Sequence, residues 1–275
     1  MYVSALHVYP FKSARGLSPT AAVVEPWGLA GDRRWMLVDG EGVLVSAREA
    51  PRLFEIAPIP EPGGALRLEG PHAGPLRLVP NGEASPIPVN VHGNQLLAIP
   101  IGPDADAWFA RLLGRDDVRV VWMDDPATRR PTNPAFSEPT DRVSFADGYP
   151  LLLTCTASLE RLNEWIAATA GEGGEAAPPL SMRRFRPNLT VDGAEPFAED
   201  GWKRVRVGAV EFRLVKPCER CVMTTIDPDT LAQGKEPLRT LARHRKWEGK
   251  TWFGMNIIPD NRGELRVGDV VEVLA

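Results

Sequence analysis

Short extended runs recur about every ten residues through the first hundred positions, each cut off by proline or glycine, and this rhythm constrains the chain most. "ALRLEG", "PLRLVP", "IPVNVHG" and "QLLAIPIG" follow one another in this way. With 27 prolines and 25 glycines, few segments can run long enough to form helices. Runs this short cannot each bury a face alone, so they must pair into a barrel or sandwich.

The opening "MYVSALHVYPFKS" reads as a first strand, with Val3, Ala5 and His7 on one face and Ser4, Leu6 and Val8 on the other. "GDRRWMLVDGEGVLVSA" reads as a hairpin about the turn Asp39 to Gly42, and "SARE", Ser46 to Glu49, as a capping box. Three helices stand out. "DADAWFARLLG" has Asp104 or Asp106 to cap it and Gly114 to end it. "SLERLNEWIAATA" carries the stripe Leu159, Leu162, Trp165 and Ile166, and "EPLRTLARHRK" has Pro237 in its first turn. Between the first two lies a proline-rich loop, residues 125–150, followed by the buried strand "PLLLTC". "GEGGEAAPPL" reads as a flexible insertion. "PNLTVDG", "KRVRVG", "VEFRLV", "CVMTTI", "WFGMNIIP" and "GELRVGDVVEVLA" read as strands, with "RVGAVEF" and "RVGDVVEV" as two separate hairpins.

The charge is nearly balanced at −4, which removes bulk electrostatic attraction as a route to nucleic acid. No apolar run of about eighteen residues predicts a membrane span, and the N-terminus has no signal-peptide pattern. Three cysteines without a secretory signal point to a reducing cytoplasm.

Two of those cysteines, Cys218 and Cys221, stand together in "KPCERCVMTTIDPD". A four-cysteine zinc site would need a second pair, and only Cys155 remains; the histidines are not at ligand spacing. A thioredoxin-type pair opens a helix, whereas "VMTTI" is β-branched and strand-like. Buried inert thiols are an alternative. Flanking Lys216 and Arg220 favour thiolate, a soft metal ligand or nucleophile, and suit a phosphate-bearing partner.

"KPCERCVMTTIDPDT", with "RFRPNL" upstream and "VGD" near the end, resembles the MOSC domain of molybdenum-cofactor proteins. "VYPFKSARG", "GDRRWMLVD" and "SAREAPRL" resemble the β-barrel region that precedes MOSC in the amidoxime-reducing members, mitochondrial and bacterial. The resemblance implies a mainly β fold with a few helices (α+β). An N-terminal β-barrel-like region over 1–123 packs on a C-terminal MOSC β-barrel over 124–275, with a molybdenum–molybdopterin (pyranopterin) cofactor between them. It implies Cys221 as the thiolate ligand to molybdenum and leaves the role of Cys218 open. Lys12 and Ser13 of "YPFKS", Arg33, Arg186 and Asn188 of "FRPN", and Glu219 and Arg220 before the cysteine are implied to hold or line the cofactor. Asp147 is implied beside the metal as a catalytic group, placed to hydrogen-bond a metal-bound ligand or shuttle a proton. Asn256 stands where mitochondrial members carry a tyrosine. The family is also associated with pyridoxal phosphate.

The implied function is reduction of N-hydroxylated small molecules. Electrons would come from a separate protein, a reductase, ferredoxin or b-type cytochrome, because no GxGxxG and no second cysteine cluster is present. Against the resemblance, no C-terminal ferredoxin-like domain, which some relatives carry, and no N-terminal anchor, which the mitochondrial ones carry, is expected from this sequence. The alternative is a molybdenum-cofactor or sulfur carrier using the Cys218/Cys221 pair, and a third reading is a non-catalytic β protein with inert thiols.

Overall fold

The computed structural model describes residues 1–71, 73–129, 131, 133–170 and 178–275, residue 170 without its side chain. Most of the expected flexible insertion, 171–177, lies outside the described residues. The chain forms two compact units that are not consecutive. One comprises Met1–His7, Ser18–Pro26 and Leu151–Ala275; the other comprises Val8–Leu17 and Trp27–Pro150.

The first unit is built on one large sheet. Its order is Tyr2–Leu6, Leu189–Asp192, Leu151–Cys155, Lys250–Pro259, Val210–Glu219, Arg204–Val207, Val271–Val273, with Lys246–Trp247 paired on Lys250–Pro259. Only Leu151–Cys155 and Leu189–Asp192 run parallel among these pairs, and the helix Thr156–Ala170 supplies the crossover that a parallel pair requires. The two ends of the sheet approach each other: Tyr2 bridges Val270, and Val271 N–H donates to the Met1 carbonyl at 3.0 Å. The sheet is therefore a nearly closed barrel, which leaves little exposed edge. The expected mainly β class with a few helices stands.

Three local expectations change in this unit. Val3 and Leu6, assigned to opposite faces, are both fully buried, because the ladder to Leu189–Asp192 slips by one residue between Val3 and Ala5. "CVMTTI" is not a strand but a single 3-10 turn, Val222–Thr225. The Thr224 and Thr225 hydroxyls bond back to the carbonyls of Cys221 and Val222 at 2.9 and 2.7 Å, which offers the backbone a local alternative to a ladder. "RVGDVVEV" is not a hairpin: Gly263–Arg266 pairs with Ala21–Glu25, and Val271–Val273 with Arg204–Val207. "RVGAVEF" does form one, Arg204–Val207 against Val210–Glu219.

The second unit holds two smaller sheets. Trp35–Val38, Arg119–Trp122, Asn94–Pro100 and Ile87–Val91 form one in that order, and Ala57–Pro60, Leu66–Gly70 and Ala73–Leu78 the other. Val43 and Leu44 bridge Asn90 and Val38, so the return arm of the expected hairpin survives as isolated bridges that link the two ends of the four-stranded sheet. Asp39 shapes its turn by accepting from Glu41 N–H and Val43 N–H, each at 2.9 Å. Met36, Val38, Val89, Val91, Val121, Met123 and Phe145 pack as one core. The helix Pro103–Leu113 starts at Gly102 rather than an aspartate cap; Asp106 instead accepts from Val120 N–H at 2.8 Å.

Candidate functional site

In the second unit the expected residues gather around Asp147. Phe145, fully buried in the core, donates its N–H to the Arg33 carbonyl at 2.9 Å and anchors the loop that carries Asp147. On the facing segment, Lys12 N–H donates to the Trp35 carbonyl at 2.8 Å. The Lys12 ammonium is buried; it donates to the Phe145 carbonyl at 2.6 Å and to the Asp147 carboxylate. Burial brings Lys12 down from the ordinary lysine range to about 8. Asp147 opposes that shift, while Arg129 and Arg33 add to it. For Asp147 burial of the carboxyl works upward, but Lys12, His92 and Arg48 prevail and hold it well below the usual carboxylate range. Its side chain nevertheless keeps 57% of its surface open. It is thus an ionised, reachable acceptor at neutral pH.

Arg33 donates to the buried Asp32 carboxylate and stacks over the Tyr9 ring at 4.4 Å, while Asp32 accepts from Tyr9 N–H at 2.7 Å. Ser13 and Arg33 have φ of 71° and 46°, in the left-handed region that side chains avoid. Among the described residues of this unit, His92 (φ 51°) is the one other non-glycine residue there. Its Nε2 lies 3.3 Å from Asp147 Oδ1. Backbone strain in this unit is therefore confined to the Asp147 surroundings, the pattern of a functional site.

Three members of this cluster were not anticipated. Arg48 donates to Asp147 Oδ2 at 3.1 Å and approaches His92 Nε2 at 3.3 Å. Arg129 is buried, and its Nη1 bonds the carbonyls of Ser144 and Ala146, which flank Phe145. Its Nε and Nη2 have no partner among the described residues, and burial brings it down to about 10. Arg48 lay in the "SARE" stretch and could have been found there. Arg129 in a polar loop and His92 at a strand end carried no signal, since only the fold brings them to Asp147.

In the first unit the thiols end the strand Val210–Glu219. Cys218 lies on the strand, and Cys221 caps the following 3-10 turn with extended backbone. Both are partly exposed. Cys155 is fully buried, and burial next to Glu199 pushes its thiol far up, so it is inert. Arg220 sends Nε to the Phe253 carbonyl at 2.8 Å and Nη1 to the Phe185 carbonyl at 3.1 Å; its buried Nη2 has no partner among the described residues. Asn256 donates to the carbonyls of Lys216 and Pro217 at 3.2 and 3.3 Å, holding the irregular ladder just before Cys218. Arg186 is buried in a left-handed conformation (φ 54°). Asn188 is buried between strands: its Oδ1 accepts from Leu152 N–H at 3.2 Å, and its Nδ2 donates to the His7 carbonyl at 3.1 Å. Glu219 is exposed and pairs with Lys250 at 2.6 Å. So Cys221, Arg220 and Asn256 are ordered around one strand end, whereas Asn188 works as a staple between strands.

Among the described residues, no group of three or more His, Cys, Asp or Glu side chains could hold a metal ion. Within the first unit the donor set suits a metal carried by an organic cofactor: the partly exposed thiol of Cys221 and, at Arg220, a guanidinium nitrogen with no partner among the described residues. Within the second unit, taken by itself, Lys12 and Arg33 are cations of the kind that bind phosphate.

Two family models match the chain. The MOSC N-terminal beta barrel domain covers residues 1–116, and the MOSC domain residues 140–272. Mitochondrial amidoxime-reducing component 1 of Mus musculus is 33% identical over 290 residues, spanning 99% of this chain and 82% of the relative. The Homo sapiens protein of the same name is 31% identical over the same shares. Among solved structures, the YuaD protein of Bacillus subtilis covers 98% of this chain and 93% of its own at a TM-score of 0.42 and 10% identity.

Proposed function

This chain belongs to the MOSC domain family, in the branch that carries the MOSC N-terminal β-barrel domain, and from that premise we propose that it is a molybdenum-cofactor-dependent reductase of N-hydroxylated small molecules. The observation that carries the reading is the near-complete alignment with amidoxime-reducing components. A partly exposed Cys221, set apart from the buried Cys155, is in keeping with it.

When bound, the cofactor supplies the two-electron redox centre at which the N–O bond is reduced. Cys221 is the thiolate that holds the metal. Lys12, Ser13 and Arg33 bind the cofactor's phosphate, and Arg186, Arg220 and Asn256 line its organic part. Asn188 and Glu219 stand as the family's cofactor-lining positions, with Asn188 acting through the strands it joins. Asp147, kept ionised by Lys12, accepts a hydrogen bond from the substrate's hydroxyl or amine and orients it. The reaction consumes two electrons and two protons, breaks N–O, forms N–H and releases water. The electrons come from a separate redox protein, and a reducing cytoplasmic setting suits the free thiols.

The test is reduction of benzamidoxime or hydroxylaminopurine by the purified protein with a reduced viologen as donor, alongside elemental analysis for molybdenum. Amine formation that depends on bound molybdenum supports the proposal. Metal-free protein that accepts sulfur on Cys221 would support the carrier reading instead.

A further inference from the structure

The segment Lys235 to Lys250 is strongly basic within an acidic chain. It holds Lys235, Arg239, Arg243, Arg245, Lys246 and Lys250 against only Glu236 and Glu248, while the whole chain carries −4. All six except Arg245 are exposed. Arg239 is paired with Glu236, Lys250 with Glu219, and Arg245 with Asp200. Lys235, Arg243 and Lys246 make no ion pair among the described residues.

This face is stiff and stands next to the thiols. Lys246–Trp247 folds back on Lys250–Pro259 through a two-residue turn, with Glu248 and Gly249 both at positive φ (51° and 74°), the tight geometry that matches strand twist. Trp247 stacks on Trp252 at 5.7 Å, and Trp252 Nε1 donates to the Trp247 carbonyl at 3.1 Å. Arg245 lies over the Trp247 ring at 5.0 Å. On the other edge of the same strand, Glu219 pairs with Trp252, and Arg220 N–H donates to the Thr251 carbonyl at 2.9 Å. Thr251 is also the ladder partner of Lys246. One strand therefore separates the basic hairpin from the residue before Cys221, about 10 Å at the usual strand spacing.

We propose that this hairpin and the adjoining helix Leu238–His244 are the docking face for an acidic one-electron carrier protein, which delivers electrons beside Cys221. The inference rests on the reductase reading. Two dockings, each oxidising one carrier by one electron, supply the pair that reduction of one N–O bond requires; solvent supplies both protons, and water leaves. The negative remainder of the chain repels an acidic carrier, and the basic face attracts it, so encounter is steered to one orientation. The exposed Trp247, held in place by Trp252, offers a rigid aromatic anchor within the charged rim.

The probe is a plant-type [2Fe–2S] ferredoxin, with calorimetric binding measured on the full chain as isolated. The wild type is expected to lose at least about tenfold in affinity between about 0.02 and 0.2 M salt. The double variant Arg243→Glu/Lys246→Glu is expected to lose at least about tenfold at low salt. Among the described residues neither of these two exposed side chains hydrogen-bonds or ion-pairs with a proposed cofactor residue, so viologen-driven turnover is expected to stay at the wild-type level while the KM for ferredoxin rises. Equal binding by both proteins, or no salt-dependent binding of ferredoxin by the wild type, overturns the docking proposal. Absence of viologen-driven N–O reduction overturns the reductase reading instead, and the binding measurement stands apart from it.

Discussion

The Lys12 ammonium is held between the carboxylate of Asp147 and the carbonyl of Phe145, two residues earlier on the same loop. One buried cation thereby fixes both the loop backbone and the charge state of its acid.

This pair has a pH signature. Lys12 titrates at about 8 in the folded chain, whereas an ordinary lysine titrates at about 10.4. Between those values the unfolded chain holds a proton that the folded one lacks, so this site's contribution to stability rises with pH from about 8 to about 10. For Asp147 the slope has the same sign, because its folded value is again the lower one: its contribution is complete above the ordinary carboxylate value and is lost as pH falls through the depressed folded value. NMR of isotopically labelled lysine side chains should find one resonance titrating near 8 and missing in Lys12→Met. A Lys12 resonance titrating with the bulk lysines contradicts this burial.

The two thiols should separate cleanly. Cys221→Ser is expected to abolish molybdenum retention and N–O reduction, while Cys218→Ser keeps at least about half of both. Metal-to-protein ratio and turnover, measured on the same preparations, check this. Equal loss in both variants argues for a shared role of the pair.

Ser13 is buried at φ 71°, a conformation that glycine adopts freely. Ser13→Gly is expected to stabilise the cofactor-free protein by up to about 1 kcal/mol in urea unfolding. The same variant is expected to retain less cofactor, because the hydroxyl goes with the strain. A variant both less stable and unchanged in cofactor content would contradict this account.

Asn188→Ala leaves the Leu152 N–H and the His7 carbonyl without their side-chain partner inside the barrel. A loss of about 2–3 kcal/mol is expected even in cofactor-free protein. A full-strength barrel with reduced cofactor content would make Asn188 a direct binding residue instead.

Arg129 holds two carbonyls of the Asp147 loop and leaves two nitrogens without a partner among the described residues. Arg129→Met should cost roughly 2 kcal/mol by freeing those carbonyls. Faster hydrogen exchange confined to residues around 143–147 would locate the effect, and unchanged exchange there would contradict it.

Proline and glycine spacing, strand periodicity and the motifs around Lys12, Arg33 and Cys221 sufficed to establish the β class, the three helices and the family, because these depend on neighbours along the chain or on order in it. Tertiary structure alone decided the rest. It placed Val8–Leu17 in one unit and the strands on either side of it in the other. It slipped the first strand by a residue, so that Val3 and Leu6 share burial. It turned "VMTTI" into a 3-10 turn, and it set Arg48, His92 and Arg129 around Asp147. The physical reason is that ladder register and charge pairing are energies between residues distant in sequence, and local preference carries no record of which distant residue will arrive.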